Sequence, residues 1–135
     1  MTATTERTEE ESNDADVISL TVPAAPQFAR LVRIAAASIA RRRGLSIRAI
    51  DDLRLAVDET FSLLLGDNAH TGSVSTNFEV DAHELVVVIT QQIPGGVVPS
   101  TEEAQLAFKT VINDLVDRCE INPEVGVVQF SKLLS

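Results

Sequence analysis

Alternation begins at Val17-Ile-Ser-Leu-Thr-Val22, where Ile18, Leu20 and Val22 are separated by Ser19 and Thr21. A period of two predicts a half-buried strand, ended here by Pro23 and Pro26. From about Pro26 the period becomes helical, with Phe28, Leu31, Val32, Ala35 and Ile39 as the expected inner stripe. Arg41, Arg42 and Arg43 ahead of Gly44 close that helix, since cations in the last turn face the negative end of its dipole. Ser46 stands where it can cap a second helix with the stripe Ile50, Leu53, Val57, Phe61 and Leu64, and Gly66-Asp67-Asn68 stops it.

Two strands are expected next. Val74, Thr76, Phe78 and Val80 alternate with Ser73, Ser75, Asn77 and Glu79, and a turn follows at Asp81-Ala-His-Glu84. Leu85 to Ile89 is a continuous apolar run, which predicts a central strand covered on both faces. Ile93 to Pro99 is expected as a loop. Ser100-Thr-Glu-Glu103 has the spacing of a capping box and opens a third helix, with Ala104, Ala107, Phe108, Val111, Ile112 and Leu115 inside. Asn122-Pro123 turns the chain into a last strand, Val125 to Leu133. The order β-α-α-β-β-α-β predicts an α+β fold, a two-layer sandwich with helices packed on one face of a mixed β-sheet.

Composition adds the domain count. Apolar residues at 44 % and charged residues at 23 % give an ordinary globular balance, and 135 residues fit one domain. Six acids and one arginine fall between Met1 and Asp16 with almost nothing apolar among them, so residues 1–16 are expected to be a disordered acidic tail ahead of a domain at 17–135. A net charge of −9 argues against binding a phosphate backbone, which needs a dense basic face, and leaves protein partners open. Cys119 is the single cysteine, which excludes an intrachain disulfide and fits a reducing cytosol; near a helix end it reads as a packing residue. His70 and His83 lack the spacing of metal ligands. The acidic start is unlike a signal peptide, and Leu31 to Ala40 is too short to span a bilayer. A cytoplasmic protein with no membrane association is expected.

The run Asp52-Leu-Arg-Leu-Ala-Val-Asp-Glu-Thr60 on the second helix resembles the N box of the anti-sigma regulatory factors, serine-protein kinases among the histidine-kinase-like (GHKL) ATPases. Val22-Pro-Ala24 ahead of Phe28-Ala-Arg30 resembles that family's first strand and helix start, and Gly126 before the final strand resembles its closing motif. The likeness runs over roughly 17–133. It implies the histidine-kinase-like ATPase fold, in a small homodimer that regulates transcription in stress responses. Such a protein sequesters a sigma factor and uses ATP to phosphorylate an anti-anti-sigma (STAS-type) partner.

Placed on this chain, the resemblance makes Glu59 the general base, whereas the residues alone allow a solvated glutamate beside Asp51, Asp52 and Asp58. Leu63 stands where an asparagine would ligate Mg²⁺ and supplies no oxygen. The adenine-reading aspartate and glycines are replaced by Thr90-Gln-Gln-Ile-Pro-Gly-Gly96, in which Gln91, Gln92, Gly95 and Gly96 are the possible remnants. Val127 stands in place of an assisting threonine. The phosphate-binding helix start is replaced by Ser100, Glu102 and Glu103, whose side chains are expected to satisfy its amides and repel an anion. No metal ligand set and no bound cofactor are expected, with ATP and magnesium in doubt. Arg30 matches the family's partner-binding arginine, with Phe28 and Arg33 beside it, and Arg41, Arg42 and Arg43 extend the same basic surface.

Three functions stay open on these grounds. One is an anti-sigma regulator with weak or lost ATP binding. Another is a working serine/threonine kinase with Glu59 as base. The third is a non-catalytic paralogue that pairs with an intact kinase as a heterodimer. Direct nucleic-acid binding is not expected in any of them.

Overall fold

The computed structural model describes residues 16–134, so the expected acidic tail lies outside the described residues except for Asp16. Five strands form one sheet: β1 Asp16–Pro23, β2 Ser73–Val80, β3 Glu84–Gln92, β4 Arg118–Asn122 and β5 Val127–Leu133. Three helices join them: α1 Ala29–Arg42, preceded by a 3₁₀ turn at Pro26–Phe28, α2 Ile47–Leu65 and α3 Glu102–Ile112. The sheet order is β1-β2-β3-β5-β4, and every pairing is antiparallel. The fold is therefore the expected α+β sandwich, but its sheet is antiparallel, not mixed. It also holds a strand the pattern concealed.

That strand is β4. Arg118, Glu120 and Asn122 point to solvent, while only Cys119 and Ile121 are half-buried against the core. Two apolar residues are too few to announce a strand, and the order comes from its partner. Asn122 pairs with Val127 and Arg118 with Ser131, so Asn122-Pro123 belongs to a hairpin between two strands. Cys119 consequently lies on an edge strand, not at a helix end.

β2 and β3 alternate buried and half-buried residues along their lengths. Leu85, Val87 and Ile89 are fully buried beneath the helices, whereas Val86 and Val88 lie on the other face, half-exposed. β3 is central, as its apolar run suggested, yet the helices cover one face of the sheet and not two. The β2–β3 turn is fastened by Asp81, whose carboxylate accepts from the amides of His83 and Glu84. These bonds hold its pKa below the usual carboxylate value.

α2 follows its expected stripe. Ser46 Oγ accepts from the Ala49 amide at 3.1 Å, and Ile50, Leu53, Val57, Phe61 and Leu64 are all buried. α1 follows its stripe in part: Val32 is buried and Phe28, Ala35 and Ile39 pack against the core, but Leu31 does not. Its buried line is Ala29, Val32, Ala36 and Ala40, while Leu31 and Ile34 are exposed. Small alanines fill most of the buried line, and Leu31 and Ile34 are left outside it. Arg33 crosses to α2 and pairs with Asp58. Among the described residues, no helix is long and apolar enough to cross a membrane.

Candidate functional site

α2 carries Glu59, Ser62 and Leu63 on the side that faces α3. The two helices run in opposite directions, because the chain after α3 returns to the first half of α2. There the Lys132 ammonium donates to the Leu115 carbonyl at 2.9 Å and lies 3.5 Å from the Asp52 carboxylate. Between the helices is an open cleft of about 240 Å³, lined by Glu59, Ser62, Leu63, Ala104, Ala107, Phe108 and Val111. Glu59 is its only charged lining residue, and Ser62 the only other polar one. The sequence brought Glu59 and Leu63 together correctly. It missed the α3 wall, since Ala104, Ala107 and Val111 were expected inside the core and are exposed instead. Of the α3 residues only Phe108 and Ile112 are buried.

The start of α3 also departs from expectation. Thr101, not Ser100, is the cap: its hydroxyl accepts from the Ala104 amide at 3.0 Å. Ser100 Oγ is taken by the Gln105 side chain, which donates to it at 2.9 Å. With the cap moved by one residue, the position that would reach back to it is Ala104, so no capping box forms. Glu102 and Glu103 remain in the first turn as exposed carboxylates.

Gln91 lies behind the cleft at the end of β3, 6 % exposed. Its side-chain amide donates to the Leu64 carbonyl at 3.0 Å and accepts from the Val98 amide at 2.7 Å. The group is committed to joining the end of α2 to the loop before α3, and is not free to meet a base edge. Gln92 points to the uncovered face of the sheet, where its carbonyl accepts from Ser73 Oγ at 2.9 Å. Gly95 and Gly96 lie in a tight turn closed by the Gly96 amide on the Ile93 carbonyl, with Gly96 at φ 109°. Val127 also lies on the uncovered face, and it is Val128 that points into the core. None of these five candidate residues, Gln91, Gln92, Gly95, Gly96 and Val127, lines the cleft.

On α1, Arg30 is exposed and makes no ion pair among the described residues, while Phe28 is half-buried against the core. Arg33 was expected beside them as a partner contact. Its guanidinium pairs with Asp58 across the α1–α2 joint and remains about a third exposed. Among the described residues no group of three or more His, Cys, Asp or Glu is arranged to hold a metal ion. His70 Nε2 is hydrogen-bonded to the Leu65 carbonyl at 2.8 Å.

No protein-family model matches the chain. Individual proteins do. It is 30 % identical over 84 residues to "Serine-protein kinase RsbW" of Bacillus velezensis, covering 60 % of this chain and 52 % of that protein. It is 31 % identical over 84 residues to the protein of the same name from Bacillus subtilis, covering 59 % and 52 %. With that of Halalkalibacterium halodurans it shares 27 % identity over 131 residues, covering 84 % of this chain and 80 % of the relative. The matches thus span about half the length of the first two relatives and most of the third.

Proposed function

From a chain that is a relative of the serine-protein kinases RsbW, we propose an anti-sigma-type regulator that acts by binding proteins in the cytoplasm. It sequesters a sigma factor or holds that factor's anti-anti-sigma antagonist, and its binding of ATP is weak or lost. The observation that carries this reading is the lining of the cleft beside Glu59. A magnesium nucleotide needs oxygen ligands for the ion and bare amides or cations for the phosphates. The cleft offers Leu63, three aliphatic residues of α3, Phe108, one hydroxyl from Ser62 and one carboxylate, and no cation. Thr101 occupies one helix-start amide, Glu102 and Glu103 add negative charge there, and the Gln91 amide has both of its partners already. At about 240 Å³ the space is also below the roughly 300–1,000 Å³ of ordinary small-molecule sites. The residues present do not fit the group.

Arg30 supplies the partner surface in this reading, with Phe28 anchoring the turn beneath it. Titration with a fluorescent ATP analogue, with and without Mg²⁺, tests the loss of nucleotide binding. Little binding is expected under either condition. Magnesium-dependent binding in the micromolar range overturns the reading in favour of an active kinase, the alternative that Glu59 supports by lining the cleft. Co-purification decides the partner. Recovery of a sigma factor or its antagonist, weakened by Arg30→Ala, supports sequestration; recovery of only an intact kinase of the same kind favours the paralogue role.

A further inference from the structure

We propose that the strip between α2 and α3 is a docking groove for a basic, amphipathic helical segment of a partner protein. The inference rests on the reading that no nucleotide occupies this cleft, and it concerns a surface separate from Arg30. α3 buries only Phe108 and Ile112, so one of its long sides is left without cover. That side presents Ala104, Ala107 and Val111, the last 44 % exposed, with Phe108 as the floor of the cleft. Opposite stand Leu63, Ser62 and Glu59, and Leu55, 50 % exposed, continues the same side of α2 one helical turn beyond the cleft lining. From Leu55 to Leu63, with Glu59 midway between the two leucines, this side of α2 runs about 12 Å along the helix, slightly over two turns. This length suits two apolar side chains set one turn apart on an incoming helix.

Charge selects the kind of helix. Among the described residues Glu59 is the one charged residue lining the cleft and no lysine or arginine lines it, while Glu102 and Glu103 stand exposed in the first turn of α3. The whole chain carries −9, so long-range attraction also favours a cation. An occupant with leucine-like residues facing Phe108 and a lysine or arginine reaching Glu59 satisfies both features. An acidic helix is repelled, and an anionic lipid surface is disfavoured for the same reason.

Fluorescence anisotropy with a labelled 14-residue leucine–lysine amphipathic peptide tests the groove, with the leucine–glutamate peptide of the same pattern as control. Binding of the lysine peptide alone is expected. The decisive variants are Leu55→Asp and Val111→Asp, both at exposed positions and checked for folding by their thermal melts. Each adds negative charge, so attraction to the surface at large would tighten with these changes. Groove binding instead weakens by about tenfold, because a carboxylate is placed in the apolar contact. Tighter or unchanged binding overturns the proposal, as does equal binding of the glutamate peptide. A fluorescent ATP analogue is titrated in parallel. If neither nucleotide nor peptide binds, the groove is refuted and the loss of nucleotide binding stands. If the nucleotide binds and displaces the peptide, both readings fail; if it binds without displacing the peptide, the loss of nucleotide binding is refuted and the groove stands.

Discussion

Gly126 leaves open the space that the side chain of Gln91 fills. A β-carbon on Gly126 would overlap Cγ and Cδ of Gln91, and its φ of +66° already disfavours any other residue. The Gly126 carbonyl in turn accepts from the backbone N–H of Gln91 at 2.9 Å. This one contact seats a buried amide that ties α2, through Leu64, to the loop at Val98. Gly126 therefore matters to the wall of the cleft without lining it.

Gly126→Ala is expected to cost about 2 kcal/mol, from backbone strain together with displacement of Gln91. Gln91→Ala should cost a similar amount, about 2 kcal/mol, because the Val98 amide and the Leu64 carbonyl lose their partner. The double variant should lose less than the sum by about 1 kcal/mol, since the steric part of the first change vanishes without the glutamine side chain. Urea unfolding of the four proteins measures the cycle, and strict additivity would show that the two residues act independently. Hydrogen exchange at Val98 should accelerate in both single variants.

How far the fold could be read from the chain depended on where side-chain pattern and burial coincide. α2 was readable because large residues, Ile50 to Leu64, mark the face it buries. β2 was readable because its alternation is strict. α1 misled at Leu31, which is exposed, and at Ala29, Ala36 and Ala40, whose small side chains give no sign that they are buried. β4 was hidden because an edge strand with three solvent-facing polar residues owes its order to β5. At the site, Glu59 and Leu63 were singled out by the resemblance, and their spacing of four residues puts them on one side of α2. The commitments of Gln91 and Arg33 were not readable, because their partners lie 27 and 25 residues away in sequence. Pairing at such separation follows from tertiary packing, and no local pattern encodes it.

The displaced cap on α3 separates two neighbouring hydroxyls. Thr101→Ala removes the oxygen that accepts from the Ala104 amide and should destabilise α3 by about 1 kcal/mol. Ser100→Ala loses only an acceptor for the Gln105 side chain and should cost less than about 0.5 kcal/mol. Thermal melts of the two variants give the comparison. A larger loss at Ser100 would return the cap to that residue.

The two arginines of α1 should separate in the same way. Arg33 and Asp58 are 32 % and 40 % exposed, so solvent screening limits their pair to about 0.5–1 kcal/mol. Arg33→Ala should lower stability by that much in dilute buffer and by less in high salt. Arg30→Ala, with no ion pair among the described residues, should leave stability within about 0.5 kcal/mol and act on partner capture alone. Equal destabilisation by the two substitutions would give Arg30 a structural role and remove it from the partner surface.

Cys119 offers a test of β4 through its chemistry. Burial, with a smaller contribution from the charge of Glu120, pushes its thiol from an ordinary 9.0 up to about 11. The folded state therefore holds the proton more tightly than the unfolded state. The stabilisation this gives is fully present below about pH 9 and is lost as pH rises toward 11. At pH 8 the same change lowers the thiolate population by about 100-fold, and the greater nucleophilicity of the more basic thiolate recovers about tenfold of it. Iodoacetamide should accordingly modify Cys119 in the native protein at least about tenfold more slowly than in urea, with a rate that keeps climbing above pH 9. Equal rates in the two states would mean that Cys119 is open to solvent, and that β4 does not pack against the core as the hairpin with β5 requires.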